Sequence, residues 1–470
     1  MASGSRRGGL GWFILIALVV AIGVAVFFLW PKLEGQAPRL TLGRQPTHLG
    51  RDYHLNLTVS DQGAGLQSLS VQLIQGSRVK TVWHRTFPAP PQGRPSAAPT
   101  AVEVSINPRQ LGLEDGPATL VIEARDHSWR QWWHGNLTRR ECKVIIDTIP
   151  PNLRLLSRGL YINRGGSAMV VYETDPEVKD HGVQVGQRRY QGYGPWPRKP
   201  NLRVCFFAYS QGQKRGVPIR LWVRDPGGNR TEMKLPVGVR WKRFRHATLN
   251  ISDRFLQEIL PRFRSVLPTD RTKPIDLFVW INTELRRRNN QQIGKAVSSP
   301  AGAMLFSGVF SRPQGKTMAG FPDRRRYLYH GKPISRATHL GTDVADVTNA
   351  PIRATAAGRV VHAGPLGIYG NTVILDHGLG VASLYGHLSV VEVKTGQTVT
   401  RNQRIGTSGA TGLALGDHLH FSVLVGGVFV DPLEWWDPHW IRDNVMSRLR
   451  EAGVATPAGD KAKGRSRDGG

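Results

Sequence analysis

At 470 residues the chain is too long for one compact core, and about 150 residues per domain predicts about three domains. Its 63 Lys and Arg against 34 Asp and Glu leave a net charge of +29, which favours anionic surroundings: nucleic acid, membrane phosphate or an acidic wall polymer. The only two cysteines, Cys142 and Cys205, exclude a disulfide-dense scaffold and a cysteine-rich zinc module. They are either a disulfide pair or two buried thiols.

Residues 10–30 form an uncharged apolar run that follows Arg6 and Arg7. About 21 residues in a helix would extend about 31 Å, enough to cross the hydrocarbon core of a membrane. The alternative is a cleaved signal peptide, but the run is long for one, and Pro38 directly follows the small-x-small pattern Gly35-Gln36-Ala37. We therefore predict a cytoplasmic N-terminus (1–9) and a single-pass anchor. The anchor places the rest of the chain outside the cytoplasm, in the periplasm or cell wall, so nucleic acid is not expected as a partner.

Two stretches, 38–149 and 150–240, alternate apolar and polar residues and are separated by turn signals, which is typical of antiparallel strands. A strand ending in Asp126 leads to Asn136, and one ending in Asp225 leads to Asn229, so the pattern repeats. The two stretches resemble immunoglobulin-like β-sandwich modules. They are either spacers or modules that bind the wall or an envelope protein, with Trp129, Trp132 and Trp133 as candidate contacts.

Residues 250–295 change to helical period. Ser252 can cap a first helix, and a second apolar stripe ends in Arg286, Arg287 and Arg288, which suits a helix C-terminus. We predict a short helical connector here, and a disordered tail at 455–470.

Three short motifs in the following region carry chemistry: His339-Leu340-Gly341-Thr342-Asp343, Tyr385-Gly386-His387-Leu388 and Asp417-His418-Leu419-His420. In a strand, His418 and His420 point to the same face. Two imidazoles and one carboxylate suit a catalytic zinc, which takes three protein ligands and keeps a fourth position open.

The order and spacing of these motifs along 300–440 resemble those of the lysostaphin/LytM-type zinc endopeptidases. The resemblance implies a small, mostly antiparallel β domain with a groove, acting on a peptide bond of peptidoglycan. It implies that Zn²⁺ is held by His339, Asp343 and His420. His387 and His418 then correspond to the catalytic pair, one deprotonating water and the other holding the oxyanion, in an order that stays open.

The predicted fold is therefore mostly β. It comprises an N-terminal transmembrane helix, two immunoglobulin-like sandwich modules, a short helical connector and an antiparallel β zinc-peptidase domain. The predicted function is a membrane-anchored zinc endopeptidase that hydrolyses peptidoglycan peptides. The alternatives are a non-catalytic envelope scaffold that binds wall or activates another wall hydrolase, and a peptidase with another peptide substrate. Whether residues 318–336 cover the groove or complete the domain edge is left open.

Overall fold

The computed structural model describes residues 8–89, 98–196 and 198–454. The chain divides into two compact units, the first comprising Met1–Pro151 with Arg224–Arg230 and the second Asn152–Val223 with Thr231–Gly470. The predicted disordered tail at 455–470 and residues 1–7 of the predicted cytoplasmic N-terminus lie outside the described residues. The predicted domain boundaries at 149, 240 and 300 stay predictions.

The predicted transmembrane segment at 10–30 falls on the first helix of the chain. Within the described residues, however, no helix meets the combined requirement of length and apolar character for a membrane crossing. The anchor stays an expectation from the sequence. The described α-helices are α1 (Gly8–Leu29), α2 (Arg130–Trp133), α3 (Asp253–Ile259), α4 (Pro274–Trp280), α5 (Arg286–Ala296), α6 (Pro432–Trp436), α7 (Pro438–Ile441) and α8 (Ser447–Glu451).

The first unit contains two β-sheets whose apolar faces share one core. Its strands are β1 (Arg39–Leu42), β2 (His48–Leu49), β3 (Tyr53–Ser60), β4 (Leu66–Gln75), β5 (Arg78–Thr86), β6 (Thr100–Ile106), β7 (Gly116–Asp126) and β8 (Leu137–Ile146). One sheet has the order β1-β3-β6 and the other β2-β8-β7-β4-β5. Alternate residues such as Leu57, Val71 and Ile122 are buried between them, as the period-two pattern predicts. The immunoglobulin-like topology itself stays a prediction.

The two Asp-to-Asn turns of the sequence repeat share the same hydrogen bonds. Asp126 accepts from the backbone N–H (2.7 Å) and the side-chain amide (2.8 Å) of Asn136. Asp225 accepts the same two bonds from Asn229, at 2.9 and 2.8 Å. Each pair closes a hairpin by satisfying donors that a turn would otherwise leave unpaired, so the repeat is structural.

The second unit begins with nine short strands, which form two sheets and one parallel pair. The sheets have the orders β14-β11-β9 and β13-β12-β15-β16, and β10 pairs with β17. The strands are β9 (Leu153–Leu155), β10 (Tyr161–Asn163), β11 (Ser167–Thr174), β12 (Asp180–Val185), β13 (Arg188–Gln191), β14 (Leu202–Ala208), β15 (Ile219–Arg224), β16 (Arg230–Lys234) and β17 (Gly238–Arg240). Cys205 lies buried in β14, and Cys142 is buried in the first unit; both thiols are free.

The remaining strands build an eight-stranded sheet, in the order β19-β22-β30-β26-β25-β24-β28 with β31 paired to β30, and two three-stranded sheets. The small sheets have the orders β18-β20-β21 and β23-β29-β27. The strands are β18 (Arg245–Ile251), β19 (Lys316–Ala319), β20 (Asp323–Tyr329), β21 (Lys332–His339), β22 (Thr342–Ala345), β23 (Pro351–Arg353), β24 (Gly358–Pro365), β25 (Asn371–Asp376), β26 (Val381–Leu388), β27 (Val390–Val391), β28 (Thr398–Val399), β29 (Arg404–Thr407), β30 (Leu419–Val425) and β31 (Val428–Val430).

The segment predicted as a helical connector packs on the eight-stranded sheet. Ser252 caps α3 by accepting from the N–H of Phe255 at 3.2 Å, as predicted. Ile281 and Ile293 share a core with Leu384 and other residues of the sheet. The expected helix end at Arg286 is wrong, because α5 begins there and continues to Ala296. The apolar stripe continues through Ile293, so burial outweighs the preference of cations for a helix end.

The strands of 152–240 and the region 300–440, which carries the three motifs, share a single hydrophobic core. The rings of Phe206, Phe306 and Trp435 meet with centroids 5.8–6.5 Å apart. Beside them the buried Glu434 accepts hydrogen bonds of 2.8 Å from the side chain of Asn163 and from the backbone of Ser167. This carboxyl therefore ties the two parts of the second unit together.

We expect Glu434 to make the protein less stable as the pH rises. Burial raises the pKa of Glu434 to about 7, although its hydrogen bonds to Ser167 and Asn163 oppose the shift. Because the pKa is higher in the folded state, the contribution of Glu434 to stability is fully present below pH 4.5. As the pH rises to about 7, the free energy of unfolding falls by about 3 kcal/mol. The free energy of unfolding, measured with urea between pH 4.5 and 8, should therefore change less with pH for Glu434→Gln than for wild type. The exposed Glu451→Gln should keep the wild-type slope; equal slopes in all three proteins would contradict the expectation.

Candidate metal centre

The three sequence motifs meet because their strands are neighbours in the large sheet. β21 ends at His339, and a short turn leads into β22, where Asp343 lies directly opposite His420 of β30. β26 borders β30 on its other side and carries His387 next to Gly386, which is paired with His420. Adjacent strands lie about 5 Å apart, so this register brings distant motifs within contact range.

His339, Asp343 and His420 form a compact group of donors. His339 Nε2, His420 Nδ1 and Asp343 Oδ1 lie 2.9 Å from one another in all three pairs. The two imidazoles are almost fully buried, at 5 % and 3 % exposed. A two-imidazole, one-carboxylate group is therefore preformed at one point of the fold.

The outer hydrogen bonds of the two histidines determine which nitrogens can bind a metal. His339 Nδ1 donates to the carbonyl of Gly320 at 3.3 Å, so its Nε2 carries the lone pair. Ser422 Oγ donates to the carbonyl of Leu340 (2.9 Å) and therefore accepts from His420 Nε2 (3.0 Å), which leaves the lone pair on His420 Nδ1. Two lone pairs and a carboxylate oxygen thus converge on one point, where a bound cation would stabilise them, and their donor types fit zinc.

The surroundings keep these groups in the protonation states that metal binding needs. Burial alone would raise the pKa of Asp343, but the positive charge and the hydrogen bonds that His339 and His420 supply when protonated hold it well below its usual range. Burial lowers the pKa of His420 to about 4, against the opposing effect of Asp343. At neutral pH the carboxylate is ionised and the imidazole of His420 is neutral, as ligands must be.

His387 and His418 lie beside this group and line the same cleft. Their ring centroids are 4.8 Å apart, and His387 is 5.7 Å from His420. His387 Nδ1 donates to the carbonyl of Thr411 and His418 Nδ1 to that of Gly416, both at 2.8 Å, so each Nε2 carries a lone pair. His418 Nε2 lies 3.7 Å from Asp343 Oδ1. All five predicted site residues are thus brought together.

The shared face predicted for His418 and His420 is present. Both line the cleft, whereas Leu419 and Phe421 are buried in the core on the opposite side of β30. The apolar back of this strand anchors its polar front, which is the local reason that both imidazoles are available at the same place.

The cleft has a volume of about 520 Å³ and includes residues that the sequence did not single out. Residues 318–336, left open above, contribute Met318 of β19 and Tyr327 of the β20–β21 hairpin to the cleft lining. Arg325 extends from this hairpin to within 3.5 Å of Asp343 Oδ2 and 3.3 Å of Asp323 Oδ2. Strand alternation within the Arg324–Arg326 run could have indicated that Arg325 faces differently from its neighbours.

The region that holds this site is similar in sequence to one family of known peptidases. Residues 337–432 match peptidase family M23, so the chain carries a peptidase family M23 domain. A relative from Vibrio cholerae serotype O1, the peptidoglycan DD-endopeptidase ShyB, is 36 % identical over 116 residues, which cover 25 % of this chain and 26 % of ShyB. The chain thus spans about a quarter of the length of this relative.

Other similar proteins are named for different roles. The murein hydrolase activator NlpD of Salmonella typhimurium is 33 % identical over 153 residues, covering 31 % of this chain and 40 % of NlpD. Among solved structures, the catalytic domain of lysostaphin from Staphylococcus simulans is 29 % identical, with a TM-score of 0.20, covering 27 % of this chain and 88 % of that domain.

Proposed function

We propose that this chain is a zinc-dependent endopeptidase that hydrolyses peptide cross-links or stem peptides of peptidoglycan. The observation that carries the proposal is the convergence of three donor atoms with two further imidazoles in one cleft. The similarity to a peptidoglycan DD-endopeptidase supports the substrate class. The net charge of +29 also suits an anionic wall polymer.

The chain's own residues have separable roles in this reaction. His339, Asp343 and His420 would hold the zinc ion, which when bound polarises the scissile carbonyl and lowers the pKa of a water ligand. His387 and His418 have their Nδ1 protons committed to backbone carbonyls, so each can accept a proton at Nε2 without losing its anchor. One imidazole would take the proton of the attacking water, and the other would face the developing oxyanion.

Digestion of purified peptidoglycan by the full chain, with mass analysis of the products, tests the proposal. We expect newly released peptides whose termini identify the bond cut, and none from His420→Ala. Products from neither protein would contradict peptidoglycan hydrolysis. Cleavage only of unrelated peptides would instead indicate a peptidase with another substrate.

The similarity to NlpD favours a second candidate, a non-catalytic scaffold that activates another wall hydrolase. The β modules would then bind wall or an envelope protein, and Trp132 and Trp133, at 88 % and 66 % exposed, are candidate contacts. If the chain is a scaffold, the wild-type protein and the His420→Ala variant should stimulate a second hydrolase equally well.

We also propose attachment to the cell membrane through residues 10–30, with the rest of the chain outside the cytoplasm. This part of the proposal depends on the sequence alone, namely the uncharged run behind Arg6 and Arg7. Retention of the full chain in the membrane fraction after a carbonate wash would support it. A soluble, N-terminally trimmed product would show a cleaved signal instead.

A further inference from the structure

The three consecutive arginines at the start of α5 differ in their surroundings. Arg287 and Arg288 are exposed and both pair with Glu284, at 2.8 and 2.7 Å. Arg286 is half-buried and lines the cleft that holds the candidate metal centre. Within the described part of the chain, no carboxylate lies within ion-pairing distance of Arg286.

Arg286 is nevertheless held in place. Its Nε donates to the backbone carbonyl of Asn282 at 3.2 Å, and its Nη2 donates to Asn282 Oδ1 at 3.0 Å. Asn282 is itself buried, at 1 % exposed, and its side-chain amide donates to Ser335 Oγ at 2.9 Å. The guanidinium is therefore held in position by neutral groups. Its charge is not compensated by a carboxylate, and it keeps N–H donors that can bind a further group.

A local irregularity of the helix accompanies this arrangement. Ile281–Leu285 forms a π-helical turn between α4 and α5, immediately before Arg286. Such turns are rare and occur frequently at functional sites, because the wider turn changes the direction of the side chains around it. Here it coincides with the separation of Arg286 from its two solvent-facing neighbours.

Tyr369 borders both the cleft and the candidate metal centre. Its ring packs edge-on against His420, with centroids 5.4 Å apart. Tyr369 and Arg286 both line the cleft that also contains His339, Asp343 and His420. The guanidinium and the donor group therefore belong to the same cleft.

We propose that Arg286 is a specificity residue that binds a free carboxylate of the substrate peptide. A fixed, uncompensated guanidinium matches a carboxylate with charge-assisted and often bidentate hydrogen bonds. The favoured substrates are then peptides with an anionic group close to the scissile bond, and neutral or amidated peptides are poor substrates. The inference rests on the proposed endopeptidase function, which it makes more specific.

The test uses zinc-loaded full-length protein and a cross-linked peptidoglycan peptide in which each free carboxylate is converted in turn to a carboxamide. For wild type, amidation of one particular carboxylate should lower kcat/KM by about 10- to 100-fold. Arg286→Met should lose this discrimination, mainly through a higher KM, and Arg286→Lys should retain part of it. Arg288→Met is the matched control from the same run and should discriminate like wild type.

Two kinetic results would overturn the proposal: discrimination that survives in Arg286→Met, or wild type that accepts every amidated peptide equally. If wild type hydrolysed none of the peptides, the result would count against the proposed function. The role of Arg286 would then be tested by measuring peptide binding. Calorimetry with the unmodified peptide should then show weaker binding to Arg286→Met than to wild type and Arg288→Met. Equal binding to all three would overturn the proposal.

Discussion

His420→Ala is expected to lose most of its bound zinc together with its activity, whereas His418→Ala is expected to keep zinc and lose only rate. His420 Nδ1 is one of three converging donors, and two protein ligands are too few for a stable catalytic zinc site. His418 lies beside the donor group, so its removal should lower the rate by about 10²–10⁴, the usual scale for a positioned acid or base.

Metal analysis and a peptidase assay on the same preparations check this division of roles. His439→Ala, at an exposed position outside the cleft, is the control and should match wild type in both measurements. If His418→Ala lost its zinc while His420→Ala kept it, the assignment of ligand and catalytic residue would be reversed. If both variants stayed loaded and active, the site would lie elsewhere.

Gly341→Ala is expected to weaken zinc binding by at least about 100-fold, a larger loss than changes beyond the ligand shell usually cause. A Cβ at position 341 would lie 2.6 Å from Cε1 and Nε2 of His420 and 2.6 Å from the carbonyl oxygen of Phe421. The carbonyl belongs to β30 and cannot move freely, so the backbone at position 341 must shift, and the His420 ring must also move away from the new Cβ. The glycine between His339 and Asp343 is therefore required for space.

Zinc affinity measured by competition with a chelator, alongside circular dichroism, tests this expectation. Gly294→Ala in α5 is the matched control, because nothing lies within 4 Å of a Cβ there. It should keep wild-type zinc affinity. A Gly341→Ala protein that binds zinc as tightly as wild type would show that the His420 ring adapts.

Several features of the site follow from neighbours in the sequence. The common face of His418 and His420 needs only the two-residue repeat of a strand, and the structure has it. The burial of alternate residues in β3, β4 and β7 and the Ser252 cap of α3 are similarly local. These predictions succeeded because side-chain direction within one element depends on backbone geometry alone.

The arginine runs show where such reasoning ends. In the sequence, Arg286–Arg288 suggests a helix end, and neither this run nor Arg324–Arg326 indicates which arginine turns inward. The structure separates the members of each run, because Arg286 and Arg325 enter the cleft while Arg288 and Arg326 face solvent. Which member turns inward depends on the packing of α5 and of the β20–β21 hairpin, and no local pattern encodes that packing.

The sequence by itself determined which residues can do chemistry here: two imidazoles and a carboxylate suited to zinc, with two further imidazoles at strand spacing. Only the tertiary structure decided that Asp343 lies opposite His420, that Ser422 and Gly320 orient the two imidazoles, and that the helices of 253–296 belong to the same core as the sheet. The physical reason is that ligand types are properties of single residues. Register, tautomer and core membership depend on contacts between residues far apart in the chain, which form only when the whole unit packs.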